Sequence, residues 1–400
     1  MSALYELHTR APAQPRTERG AALLEGLNPR QREAVVHAGS PLLIVAGAGS
    51  GKTRVLTHRI AWLLAERGVH PGEILAITFT NKAAAEMKER IEALVGRSFA
   101  AMWVSTFHSL CVRILRREAK HLGVASSFSV YDADDTRRLI TLVVRDLELD
   151  PKKFSARGVA AHLSNLKNEL VTPNEAAERA TTEFERRLAE VYALYQQRLR
   201  AANAFDFDDL IMETVGLLQR FPAVAEHYRR RFRHVLVDEY QDTNHAQYVL
   251  VRELVAPAHE GAEPGELCVV GDSDQAIYAF RGASIRNIVE FEQDFPNAVT
   301  ILLEQNYRST QTILSAANAV IAHNPNRRAK RLWTDAGDGE KIVGYVADNE
   351  HDEAAFVAAE VDRLVDSGRY RNSDIAVFYR TNAQSRVFED VFLRVGLPSR

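Results

Sequence analysis

Short apolar runs recur along the chain at Leu42–Val45, Ile74–Phe79, Met102–Thr106, Val235–Val237, Leu267–Val270 and Val299–Leu303. They are too short for buried helices and lack polar alternation, so they predict strands covered on both faces. Val55–Glu66, Lys82–Leu94 and Leu210–Gln219 place apolar residues at helical spacing between them. Strands alternating with helices predict an α/β fold on a parallel sheet. Asn28 as N-cap and Pro29 as first helical residue add a helix through Val36.

Two stretches break this rhythm. From Ala125 to Ala204 only helical spacing appears, in Thr136–Leu147, Ala156–Leu166 and Asn174–Arg200, with caps expected at Asp134, Ser155 and Asn174. That predicts an all-helical insertion whose charges form a solvated face. After Leu303 come a helix over Thr310–His323, a basic cluster of Arg327, Arg328, Lys330 and Arg331, and Trp333. Lys341–Val346, a helix through Val365 and a strand over Ile375–Tyr379 then predict a second α/β unit. Residues Met1–Gly20 are rich in Pro and Arg and read as a disordered tail.

Composition changes this picture little. Fifty Lys and Arg nearly balance 53 Asp and Glu, so a polyanionic partner has to be argued from local patches. Cys111 and Cys268 stand far apart in apolar stretches and read as core residues of a cytoplasmic chain. No apolar run reaches the ~18 residues of a membrane span, so no membrane partner is expected. The amino-terminal stretch lacks the hydrophobic segment of a secretory signal.

Chemistry concentrates at the ends of the predicted strands. Ala46-Gly47-Ala48-Gly49-Ser50-Gly51-Lys52-Thr53 follows the first strand and opens a helix. Glycines there let backbone N–H groups surround phosphate oxygens at a helix N-terminus. Lys52 would reach the β- and γ-phosphates, and the Thr53 hydroxyl would hold Mg²⁺. Ala46 stands where the usual pattern has Gly. Asp238 and Glu239 end the Val235–Val237 strand, placed for a Mg²⁺-holding acid and a water-activating base. A kinase has no need of the second acid, so the pair favours hydrolysis. Gln275 follows the next strand, within reach of a γ-phosphate. Gln31 offers the donor and acceptor that read an adenine edge, or is an ordinary surface glutamine.

Thr78-Phe79-Thr80-Asn81-Lys82 and Thr106-Phe107-His108-Ser109 sit at two further strand ends. Each combines an aromatic ring with small polar groups, the mixture that suits a nucleic-acid strand, although a capped turn with Phe79 in the core fits equally. Tyr278 and Phe280 are too exposed in their pattern to be core alone. His108 has no metal-ligand spacing. The acids of Phe205-Asp206-Phe207-Asp208-Asp209-Leu210 read as the charged N-terminus of a helix.

The order LNPRQ, AGAGSGKTR, ITFTNKAA, TFHSLCVRILRR, DFDDL, VDEYQDTN, VGDSDQAIYAFRGA and LEQNYRST closely resembles the superfamily 1A DNA helicases of the UvrD/PcrA/Rep group. The resemblance covers nearly everything from Leu27 to Arg400 and is weakest in the helical insertion. It implies a RecA-like P-loop motor domain over residues 27–120 and 205–299, with a helical insertion at 121–204. Residues 1–26 would be a tail, and 300–400 the first part of a second RecA-like domain. The family's later motifs, including a second arginine finger, would fall beyond Arg400, which implies an N-terminal portion.

Carried over, the resemblance implies that Gln31 reads adenine and that Arg54 and Tyr307 sandwich it. Lys52, Thr53, Asp238 and Glu239 would form the ATP and Mg²⁺ site, Gln275 would sense the γ-phosphate, and Arg308 would act as an arginine finger. Phe79, Thr80, Asn81, Thr106, Phe107, His108, Tyr278 and Phe280 would lie along single-stranded DNA, with Phe280 where relatives usually carry Trp. The implied activity is ATP-driven 3′ to 5′ translocation with unwinding at single/double-strand junctions, in repair or replication near the nucleoid. A helicase–nuclease motor, an ATP-gated DNA clamp and a small-molecule P-loop kinase are the competing readings.

Overall fold

The computed structural model describes residues 17–96, 101–278, 283–284, 286–289, 291–324 and 329–398. The chain divides into two compact units, Met1–Asp338 and Gly339–Arg400.

The first unit is built on β1 (Leu42–Ala46), β2 (Ile74–Thr78), β3 (Trp103–Thr106), β6 (His234–Val237), β7 (Glu266–Gly271) and β8 (Val299–Leu303); β4 (Ser129–Tyr131) and β5 (Ala204–Asp206) form a separate pair. The six strands lie in the order β3-β2-β6-β7-β1-β8, and every neighbouring pair is parallel. Alternate side chains leave a strand on opposite faces, which generates two cores. Leu43, Val45, Leu75, Ile77 and Val237 pack under helices Phe107–Arg117, Phe207–Arg220 and His245–Val255. Leu42, Ile44, Ile74 and Ala76 pack under helices Pro29–Val36, Lys52–Ala65 and Asn81–Val95. Burial on both faces explains why the strands read as unbroken apolar runs. Cys111 and Cys268 lie in these cores, and burial pushes their thiols up to about 12 and about 11.

Several sequence expectations need correction. The tail expected over residues 1–26 contains a helix, Glu18–Leu24, capped by the Thr17 hydroxyl and anchored by buried Leu23. The insertion is not wholly helical: β4 and β5 pair in parallel at its ends, each strand being too short to show alternation. Its long helix is broken into Pro173–Arg179 and Glu183–Ala201, with caps at Thr172 and Thr182, and the first helix is capped by Asp132. Last, β8 forms the edge of the first sheet beside β1, and the compact unit runs on to Asp338.

The second unit carries helices Glu350–Asp366 and Ser385–Val395, with Tyr345 stacked on Phe356 at 4.0 Å. Residues Lys341–Val346 and Ile375–Tyr379 form no ladder among the described residues, and Val346 and Phe378 are 96% and 93% exposed. A strand exists by its hydrogen-bonded neighbour, and these segments have none among the described residues of the unit.

A buried ion cluster ties the insertion to the sheet domain. Lys167, at the end of helix Ala156–Asn168, lies 2.6 Å from Asp206 and 2.8 Å from Asp209. The Tyr195 hydroxyl donates to Asp206 at 2.8 Å. Burial opposes the charge on Lys167, but the two carboxylates hold it protonated above the usual lysine range. The acids read as a helix N-terminus do serve there: Asp206 caps helix Phe207–Arg220 in a box with Asp209. Removing one partner of such a cluster leaves uncompensated buried charge. Lys167→Met should therefore cost about 3–5 kcal/mol in urea unfolding, and adding Asp206→Asn and Asp209→Asn should recover part of that loss.

Candidate functional site

In a parallel sheet all carboxyl ends lie at one edge, so the strand order sorts the residues that follow them. β6, β7, β1 and β8 are contiguous, which brings together Asp238–Glu239, Asp272–Gln275, the loop at 47–51 and Gln305–Arg308. β2 and β3 lie at the other side and carry Phe79–Asn81 and Thr106–His108.

The loop after β1 is held by its own hydrogen bonds. The Ser50 hydroxyl donates to Gly47 O at 2.7 Å, and Val55 N–H donates to Gly51 O at 2.9 Å. Gly49 and Gly51 have φ of 69° and 88°, the left-handed region where a side chain is strained. A Cβ on Gly51 would also lie 2.9 Å from Gln31 Nε2. Gln31 is fully buried: its Nε2 donates to Ser50 O at 2.9 Å and its Oε1 accepts from Asn28 N–H at 3.1 Å. The expected adenine-reading amide is thus engaged in bracing the loop, because the capping box with Asn28 turns it inward. Ala46 is the buried end of β1, while Arg54 is exposed on the first turn of the following helix.

Around Lys52 the side chains close a ring. Its ammonium donates to Glu239 Oε2 at 2.9 Å and Gln275 Oε1 at 3.2 Å. Gln275 Nε2 donates to Asp272 Oδ2 at 2.6 Å, and Asp272 N–H donates to Gln241 Oε1 at 3.0 Å. Gln241 Nε2 returns to Glu239 Oε2 at 2.9 Å. Glu239 is a non-glycine residue at φ 50°, a conformation costing about 1–3 kcal/mol that concentrates at functional sites. Gln241 and Asp272 escaped the sequence reading, although both adjoin residues that it singled out.

Asp238 is buried behind this ring, and its Oδ1 accepts from Glu239 N–H at 3.0 Å. Burial, then the Glu239 carboxylate, push its pKa from 3.8 up to about 6, and Lys52 opposes the shift. Asp242 is raised to about 6 by the same two causes in the same order. Among the described residues no three His, Cys, Asp or Glu side chains converge as a metal cage. A buried carboxylate seeking positive charge, beside the glycine loop after β1, fits an ion that takes its other ligands from a bound phosphate and water, as Mg²⁺ does.

The segment after β8 lies on the loop. Asn306 Nδ2 donates to Ala48 O at 2.6 Å, and Tyr307 N–H donates to Gly49 O at 2.9 Å. The half-exposed Tyr307 ring has its hydroxyl 2.8 Å from Asn28 Nδ2. Arg308 follows, exposed, with its Cβ against Gly49.

A groove of about 860 Å³ runs from Glu239, Gln275 and Tyr278 past Asn244 to Phe79, Thr80 and His108, with Asn165 and Asn168 of the insertion on its other wall. Phe79 is partly buried, edge-on to Phe107 at 5.9 Å. Phe107 is 2% exposed, so it supports Phe79 and does not meet a ligand itself. Thr106 is likewise buried, its hydroxyl capping the next helix through Ser109 N–H. Thr80 caps helix Asn81–Val95, and Asn81 is exposed. Burial lowers the His108 pKa, and its ring packs against Phe207, 50% exposed and unforeseen, at 5.6 Å. Phe280 lies outside the described residues.

Comparison with known proteins bears on these features. Residues 27–296 match the UvrD/REP helicase N-terminal domain, and residues 301–400 match the UvrD-like helicase C-terminal domain. The ATP-dependent DNA helicase UvrD1 of Mycobacterium tuberculosis is 67% identical over 381 residues, 94% of this chain and 49% of that protein. UvrD1 of Mycobacterium leprae is 63% identical over 94% of the chain and 50% of its own length. The ATP-dependent DNA helicase PcrA of Bacillus subtilis is 53% identical over the same share of the chain and 50% of its own. The chain thus spans about half the length of the curated relatives it matches. Among the described residues no helix is long and apolar enough to cross a membrane.

The raised pKa of Asp238 has a definite sign. The folded state holds the proton more tightly than the unfolded one, so stability falls as pH rises from about 4 to about 6 and is flat above. Asp238→Asn keeps the acceptor for Glu239 N–H and removes this cost. It should raise the nucleotide-free chain's stability at pH 7.5 by at most about 3 kcal/mol and make the fall of its melting temperature between pH 4 and 6 shallower, leaving the share that Asp242 contributes.

Proposed function

This chain belongs to the UvrD/REP helicase family, and we propose that its first unit is the ATP-hydrolysing half of a motor that moves along single-stranded DNA and unwinds duplexes at single/double-strand junctions. The observation that carries this reading is the contact of Lys52 with both Glu239 and Gln275 at the end of the long groove. A phosphate loop, a hydrolytic carboxylate and a groove wall share one hydrogen-bonded ring.

The Lys52 ammonium neutralises Glu239, the proposed base. The β- and γ-phosphates would draw Lys52 away, leaving Glu239 to orient and deprotonate a water aimed at the γ-phosphate. Thr53 and Asp238 would hold Mg²⁺, which supplies charge neutralisation on the phosphates. Gln275 would exchange its contact with Lys52 for one with the γ-phosphate. Ile277 and Tyr278, two and three residues on, line the groove, so the exchange reaches the DNA-binding wall through a very short stretch of backbone. Arg308 is the proposed arginine finger. Arg54 and Tyr307, beside the loop, are proposed to flank adenine, and Gln31 would first have to release Ser50 O or Asn28 N–H.

On the groove side, Phe79 is the base-stacking platform, with Thr80, Asn81, His108 and Tyr278 along the strand. The 3′ to 5′ direction, a role in repair or replication and a cytoplasmic, nucleoid-associated setting belong to the same proposal and rest on the family resemblance.

ATP hydrolysis measured with and without single-stranded DNA tests the reading. Lys52→Ala should abolish turnover and weaken nucleotide binding while sparing DNA binding, whereas Glu239→Gln should bind ATP and leave it intact. Ordinary turnover by Glu239→Gln would remove the base assignment. Base–aromatic stacking is worth about 1–3 kcal/mol per base, so Phe79→Ala should weaken single-strand affinity by roughly that amount with basal hydrolysis unchanged. Unaltered DNA affinity would confine Phe79 to the core.

A further inference from the structure

The ring around Lys52 has one further attachment, from a residue that neither the motifs nor the family match assigns. Lys330 lies in the segment behind β8, inside the same compact unit, and its side chain is only 4% exposed. Its ammonium bonds Asp272 Oδ1 and Asp274 Oδ2, both acids being nearly as buried. Asp272 uses its second oxygen, Oδ2, to accept from Gln275 Nε2 at 2.6 Å. One lysine therefore neutralises two buried carboxylates and fixes the group that orients the Gln275 amide. With Nε2 held by Asp272, the Gln275 oxygen faces Lys52.

We propose that Lys330 is a positioning residue for Gln275, linking the segment that carries Tyr307 and Arg308 to recognition of the γ-phosphate. The inference rests on the proposed role of Gln275 as γ-phosphate sensor and adds a residue through which that role is set. The same segment already touches the phosphate loop. Asn306 bonds Ala48 O, and Leu332, two residues beyond Lys330, would collide with any Cβ placed on Gly47. Lys330 thus fastens the far end of a strip whose near end rests on the loop. Without its charge, Asp272 and Asp274 are left as uncompensated buried anions beside Lys52 and compete with phosphate for it. Asp272 is then free to release Gln275. Both effects penalise a triphosphate more than a diphosphate.

The test compares affinities of the 400-residue chain for a fluorescent non-hydrolysable ATP analogue and for fluorescent ADP, both with Mg²⁺. Gln275→Ala and Lys330→Met should each reduce the preference for the triphosphate by about tenfold, the size of one lost hydrogen bond to a charged group. ADP affinity should stay within about twofold. The double variant should lose no more than Lys330→Met alone, because whatever Gln275 contributes is already lost once Lys330 no longer holds Asp272. Lys330→Arg, which keeps the charge, should restore most of the preference. If Lys330→Met does not fold, Lys330→Gln is read in the same way and should show a partial loss. Full triphosphate preference in the Lys330 variant beside a loss in Gln275→Ala would overturn the inference alone, as would losses that multiply in the double variant. An unchanged preference in Gln275→Ala would overturn the sensor reading on which it rests, and failure of the wild-type chain to bind either nucleotide would overturn the ATPase reading itself.

Discussion

Five carboxylates stand after two adjacent strands, Asp238, Glu239 and Asp242 behind β6 and Asp272 and Asp274 behind β7, at the edge where a polyanion is expected to bind. Like charges so close and so poorly hydrated are the constraint on everything around them. Lys52 and Lys330 reach in from different segments to offset part of the charge, and burial lifts Asp238 and Asp242 to about 6 where the lysines do not suffice. Positive charge at the cleft is already committed before any phosphate arrives. On the proposed reading, a nucleotide entering with its own divalent ion would relieve Asp238 and replace Glu239 as the partner of Lys52 in a single event, whereas a bare nucleotide would only intensify the repulsion.

Sheet order converts this local chemistry into a division of labour. Parallel strands deliver every loop to one edge, and the placement of β6 and β7 between β2 and β1 sets the acids between the phosphate loop and the aromatic strand ends. The ring through Gln241, Asp272 and Gln275 crosses that junction with side-chain hydrogen bonds and one backbone N–H, that of Asp272. The insertion supplies the opposite wall, and buried Lys167 holds it to the helix that follows β5.

Most of the fold was legible because its strands are covered on both faces, so their apolar runs stand out from the helices. The β4–β5 pair was not, since three residues cannot display a period and the pairing joins segments far apart in sequence. That the glycine loop and the acid pair would meet was legible, because each directly follows an apolar strand, and Lys52 does reach Glu239. What spacing does not carry is orientation. Phe107 and Phe79 both follow strand ends in matching contexts, yet one is sealed and the other partly open, because helix Phe107–Arg117 begins at the ring itself. Lys330 stood in a basic cluster to which the sequence assigned no partner, and only the fold of the segment behind β8 turns it inward onto Asp272. Gln31 illustrates the converse, a residue whose donor and acceptor were legible but whose partners here are Ser50 and Asn28.

The two native thiols give the molecule an experimental property unrelated to its chemistry. Cys111 and Cys268 are at most 1% exposed, and burial holds both in the protonated form that does not attack electrophiles. Maleimide dyes should therefore pass over the unmodified chain, which offers a silent background for site-specific labelling. Single cysteines placed on exposed positions, Lys82 two residues beyond the groove-lining Thr80 and a surface position of helix Ala156–Asn168, would carry donor and acceptor without first stripping native residues from the core. Distances across the groove could then be followed in single molecules while nucleotide is exchanged.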